Sequence, residues 1–139
     1  MSDLELQMEL LKSALADRFP HRVVTRDLKD FSQRDCADLK RGVYTLLHSA
    51  EGNYTNLLGR SAAHGVRSIK IIGQLQIDDG EPPSAMENLE GAMLDEIKEI
   101  TNNYPAGISH LLLIDCRSSE QMDVPWGWIA CRLEMMAVD

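Results

Sequence analysis

At 139 residues, 44% hydrophobic and 26% charged, the chain has the size and composition of one globular domain, residues 1–139, and no apolar run approaches the roughly 20 residues of a membrane span. A net charge of −8 argues against a surface that tracks nucleic-acid phosphates throughout. The three cysteines, Cys36, Cys116 and Cys131, lack CxxC spacing and are expected as reduced thiols in a cytoplasmic setting, with a Cys116–Cys131 link open should their strands pair.

The opening "MSDLELQMELLK" is acidic and has neither the basic nor the apolar region of a signal peptide, so none is expected there. Ser2 and Glu5 have capping-box spacing, and Leu4, Met8, Leu11 and Leu15, widened by Leu6 and Leu10, recur at helical intervals up to Phe19 and Pro20. "HRVVTR", residues 21–26, predicts a short strand. "DLKDFSQRDCADLKR" is polar and weakly patterned, which predicts a loop with a helical turn. "GVYTLLHS", residues 42–49, predicts a second strand. Residues 50–65 hold three glycines and two asparagines and predict a long connection, functional or disordered.

Ile69, Ile71, Leu75 and Ile77 alternate with polar residues, a half-buried third strand in which Gly73 marks a bulge or a close backbone approach. Ser84 and Glu87 again have capping-box spacing. Met86, Leu89, Met93, Ile97 and Ile100 then predict the buried stripe of a second helix, with Gly91 serving close packing. "ISHLLLIDC" predicts a buried strand. "VPWGWIACRLEMMAV" predicts a long last strand, with Ile129, Cys131, Leu133, Met135 and Ala137 facing one way and Trp126, Trp128, Arg132 and Glu134 the other. The order α-β-β-β-α-β-β predicts an α/β (α+β) fold: a mixed, largely antiparallel sheet with two helices packed on one face.

The acidic knot Asp78, Asp79 and Glu81 lacks the alternate-position ladder of a calcium loop and suits a joint between strand and helix. "GRSAA" lacks the closing glycine of a nucleophile elbow, the four histidines have no paired-ligand spacing, and no phosphate-cradling glycine loop is present. No catalytic, cofactor-binding or metal residues are therefore expected. His110 reads as structural. Trp126 and Trp128 admit two readings: a second layer covers their face, or they form a protein contact, where Trp is enriched.

The order of elements resembles the tail terminator proteins of long-tailed phages, the lambda gpU-like family. The resemblance rests on "DLELQMELLKSALADRF", "RSIKIIGQLQI" running into a Pro-containing loop, "SAMENLEGAMLDEIKEI", and the closing pair "ISHLLLIDC" and "WGWIACRLEMMAV". It implies a non-enzymatic virion protein, assembled in the bacterial host cytoplasm. The protein would form a ring, commonly hexameric, that caps the head-proximal end of the tail tube, ends tube polymerisation and prepares head–tail joining. Its partners would be further copies of itself, the tail tube protein and a head-completion or connector protein, with no cofactor, membrane or sequence-specific nucleic acid. Another phage neck or minor tail protein is the alternative within that class. A small cytoplasmic enzyme or ligand-binding domain is the alternative outside it.

Charge is unevenly placed. Residues 78–99 hold eight acids and one base, whereas residues 22–70 hold nine bases and five acids. Opposite patches of this kind admit two readings: they steer association between copies, or the acids only solvate a helix face. The expected protein contacts are Tyr54, Leu57, Leu58, Arg60 and Arg67 on one side, Glu87, Glu90 and Asp95 on the other, and Trp126 and Trp128. Arg34, Lys40 and Arg41 are expected among the exposed bases.

Overall fold

The structure is a computed structural model and describes residues 2–52, 54 and 65–136. Its elements are α1 (Asp3–Arg18), β1 (Val23–Thr25), a 3₁₀ turn (Phe31–Gln33), α2 (Cys36–Arg41), β2 (Val43–Gly52), β3 (Val66–Gln76), α3 (Pro83–Asn102), β4 (Ser109–Ser118) and β5 (Trp126–Met136). The strands form one five-stranded sheet in the order β1-β2-β3-β5-β4. β1 runs parallel to β2, and every other pair is antiparallel. The fold is thus α+β with a mixed, mostly antiparallel sheet. α3 carries the chain from β3 over one face to β4, and β5 then inserts between those two strands.

The core lies between that face and helices α1 and α3. Alternation along β3 and β5 delivers Ile69, Ile71 and Leu75, and Ile129, Cys131, Leu133 and Met135, all buried. α1 supplies Met8, Leu11 and Leu15, and α3 supplies Met86, Met93, Ile97 and Ile100. Ser2 Oγ accepts from the Glu5 N–H at 3.1 Å, the expected cap of α1. α3 starts two residues earlier than its expected cap: Pro82 is the N-cap, Pro83 opens the helix, and Ser84 lies inside it. The acidic knot forms the turn between β3 and α3. Glu81 accepts from the Asp78 N–H at 2.9 Å, and Asp78 pairs with Lys40 at 2.5 Å.

Two glycines seat α3. At Gly73 an added Cβ would lie 2.8 Å from Ile129 Cγ1 and 3.0 Å from Met93 Cε, and at Gly127 it would overlap the Met86 thioether. The two methionines are seven residues apart on α3, two turns along one face, and each lies over a strand position that has no side chain. Gly73 therefore marks a close approach, and the β3–β5 register runs through it without a shift. Gly91 does not pack closely, because it is exposed and nothing lies within 4 Å of its would-be Cβ.

Other expectations change. The polar stretch after β1 folds into the 3₁₀ turn and the six-residue α2, so a third helix joins the expected two. β2 continues to Gly52, into the expected connection; residues 53 and 55–64 lie outside the described residues, as does Ala137. β4 is an edge strand, not a buried one, and leaves Leu112 and Ile114 about half exposed (56% and 46%). Its register shifts twice, between Ser109 and Leu112 and between Leu113 and Asp115, so a continuous apolar run does not mean burial on both faces. His110, with φ 53°, sits exposed at the first of these shifts.

The two kinds of glycine predict opposite effects. Gly127→Ala, which forces Met86 away from β5, should lower the free energy of unfolding by about 1–3 kcal/mol. Gly91→Ala, in open space on the same helix, should raise it by about 1 kcal/mol. Urea denaturation of the two variants measures both signs.

Candidate interaction surface

The sheet face opposite α1 and α3 carries the outward residues of β3, β5 and β4. Residues 27–41 strap one end of it. Arg34 donates from Nε to Gln74 Oε1 at 2.7 Å and from Nη2 to Thr45 Oγ1 at 3.2 Å and the Asp27 carbonyl at 2.8 Å. Gln74 in turn donates to the Lys29 carbonyl at 2.9 Å. Phe31 stacks on Trp126 with ring centroids 5.7 Å apart and planes 22° from parallel. The covering reading of the tryptophans thus holds in part: the strap covers one side of Trp126, which is still 40% exposed, and Trp128 is half-buried with its Nε1–H donating to Asp123 at 3.0 Å.

Beyond the strap the face is open. A depression of about 480 Å³ is bordered by Lys70, Ile72, Asp115, Arg117, Trp128 and Arg132. Arg132 stands opposite both Lys70 and Asp115 in the register. Its Nε lies 2.9 and 3.0 Å from the two Asp115 oxygens and its Nη2 2.5 Å from one of them. Those hydrogen bonds hold the Asp115 carboxyl below, and the Arg132 guanidinium above, their ordinary pKa values. The depression borders β4, whose outer edge carries no strand among the described residues.

The basic residues expected to face a partner are mostly occupied within the chain. Arg67 is buried, with Nε 2.7 Å from Glu51, Nη1 3.0 Å from Asp3, and Nη1 also bonded to Gln7. It is therefore not a candidate contact; β3 alternation places it on the core side, where a guanidinium requires partners. Lys40 pairs with Asp78, and Arg41 donates from Nε to the His21 carbonyl at 3.0 Å. Glu90 is also corrected, because it is buried in the α3 stripe. One of its oxygens accepts from Ser119 Oγ at 2.5 Å and from the Trp128 N–H at 2.9 Å, and the other has no hydrogen-bond partner. Glu87 is exposed and accepts from Gln121 at 2.7 Å; Asp95 is exposed, with Lys98 at 3.9 Å. Tyr54 is 47% exposed, and Leu57, Leu58 and Arg60 lie outside the described residues. Among the described residues, the expected contacts therefore do not gather into one patch; of these, Trp126 and Trp128 share a face with the depression.

A second network, absent from the expected sites, ties α3 to the sheet. Arg22 grips Glu96 with both ends of its fork, Nε to Oε1 at 3.0 Å and Nη2 to Oε2 at 2.8 Å, while Nη1 donates to the Arg41 carbonyl at 2.8 Å. The buried Tyr44 hydroxyl lies 2.9 Å from both Glu96 Oε1 and the Met93 carbonyl. Burial alone would raise the Glu96 pKa, but hydrogen bonds from Arg22 and Tyr44 and the Arg22 charge outweigh it and hold the carboxyl below its usual value. Burial, and next the Glu96 charge, push the Tyr44 phenol upward.

Among the described residues, no three His, Cys, Asp or Glu side chains gather as a metal site, and no helix is long and apolar enough to cross a membrane. In comparisons with known proteins, no family model and no curated sequence matches the chain.

Because the folded-state pKa of Glu96 lies below its unfolded value, its contribution to stability is complete above the ordinary glutamate value of about 4.3 and is lost as pH falls from there through the folded value. Glu96→Gln should cost about 1.5–3 kcal/mol at neutral pH. It should also flatten the decline of stability below about pH 4.5, which acid titration of the urea midpoint measures.

Proposed function

We propose that the chain is a ring-forming structural protein of a phage or prophage tail, of the tail-terminator type. In this reading it closes the head-proximal end of the tail tube, and its partners are further copies, the tube protein and a head-completion or connector protein. The order of elements supports it. The observation that carries it is the open sheet face with Trp126 and Trp128, continuous with an edge strand that exposes Leu112 and Ile114. Tryptophans at one end of the face and exposed aliphatic residues at the other, with the Arg132–Asp115 pair between them and a free strand edge alongside, are suited to contact between proteins. The reading does not lean on opposite charge patches, since among the described residues most bases bind acids or carbonyls of their own chain.

Sedimentation velocity over a range of concentrations, with negative-stain imaging, tests the reading. The wild type should form ring-sized particles at high concentration or in the presence of tube protein, and should shorten tubes that the tube protein forms alone. Leu112→Asp with Ile114→Asp, both at exposed positions, should leave the fold intact and reduce assembly at least tenfold, a loss of about 1.4 kcal/mol of association free energy. A wild-type chain that stays monomeric throughout and leaves tube length unchanged refutes the reading.

A further inference from the structure

Cys116 on β4 and Cys131 on β5 are direct partners in the antiparallel register. Both thiols are free, and their sulfurs lie 3.0 Å apart. Facing residues of an antiparallel pair have Cα atoms about 4.5–5.5 Å apart, inside the range that a disulfide spans. The two sulfurs differ in access. Cys131 is buried in the core, while Cys116, on the edge strand, is half-buried and borders a cleft formed by residues 116–123 and Trp128. β4 is an edge strand with a register shift just before Cys116, between Leu113 and Asp115, so it is bound to the sheet on one side only.

We propose that Cys116 and Cys131 form a modification site, a dithiol that low-molecular-weight disulfides oxidise to a cross-strand disulfide. Cys116 is the entry thiol and Cys131 the resolving thiol. Cys116 gives up its proton and its sulfur attacks one sulfur of the small disulfide, RSSR. The S–S bond breaks, a Cys116–S–SR bond forms, and RS⁻ leaves and takes up a proton. Cys131, deprotonated in turn, attacks Cys116 Sγ, and the second RS⁻ leaves and is protonated. Two protein thiols are thereby oxidised, and one RSSR is reduced to two RSH. The roles agree with the surroundings. The hydrogen bond from Cys131, which outweighs burial, and a further one from the Ala130 backbone hold the Cys116 thiol below its ordinary pKa, and bonding to Cys116 together with burial pushes the Cys131 thiol upward. The site does not depend on the tail reading.

The experiment treats the folded chain with oxidised glutathione at neutral pH, then quenches with acid and alkylates. Wild type should lose about 2 Da through the Cys116–Cys131 link, with alkylation or a glutathione adduct confined to the exposed Cys36. A peptide map should join the fragments holding Cys116 and Cys131, and dithiothreitol should restore three thiols. Cys36→Ser, at an exposed position, should behave alike with no thiol remaining. Cys131→Ser should stop at a glutathione adduct on Cys116, while Cys116→Ser should react at least tenfold more slowly at Cys131. Three unreacted thiols in the wild type, a lasting glutathione adduct on Cys116 there, or a link involving Cys36 would overturn the proposal.

Discussion

The grip of Arg22 on Glu96, with the Tyr44 hydroxyl closing the remaining side, fixes how α3 sits on the sheet. Glu96 lies in the second half of α3, Tyr44 is buried in β2, and Arg22 immediately precedes β1. A carboxylate this far from solvent is tolerable only when charge and hydrogen bonds surround it. The requirement therefore brings together the entry to β1, the middle of the sheet and the crossover helix. The same guanidinium also donates to the Arg41 carbonyl at the end of α2, so the strap over one end of the outer face is tied to the same point. With α3 held at Glu96, Met93 and Met86 fall over Gly73 and Gly127.

Buried and half-buried arginines recur as fasteners. Arg67 ties α1 to the start of β3 through Asp3 and Gln7, Arg22 ties α3, and Arg34 ties the strap. Each is bidentate or better, as suits a planar fork of donors with fixed geometry. With so many cations turned inward, the exposed helix surface remains acidic through Glu87, Asp95 and Glu99. The net charge of −8 then works against close approach of copies.

The sheet and its two main helices were legible in the sequence because alternation and helical spacing are local signals. β3, β5 and the Ser2 cap follow directly from them. The site was much less legible. Glu90 falls in the stripe 86, 90, 93, 97, 100, which alternates steps of four and three, but Leu89 nearby is apolar and composition favours it. Only the three-dimensional placement of Ser119 and the Trp128 N–H explains why an acid belongs there. The buried role of Arg67 is visible in alternation with Ile69 and Ile71, though a charge on a core-facing position reads as exposed until its partners are known. The edge position of β4 cannot be read from "ISHLLLIDC", because strand order is a long-range property and register shifts break the link between an apolar run and burial.

The two borders of the sheet are unequal. β1 offers three residues and β4 offers ten. Two copies that meet by backbone pairing can match β4 only with β4, and that arrangement has twofold symmetry and closes on itself. Continued growth by strand addition would have to join β4 to β1, where most of the ten residues would find no mate. Among the described residues, this mismatch disfavours fibre-like stacking by strand addition without any strand-breaking residue in β4. A closed circle of more than two copies would have to be built from unlike surfaces, with the tryptophan face on one side and something other than a strand edge on the other.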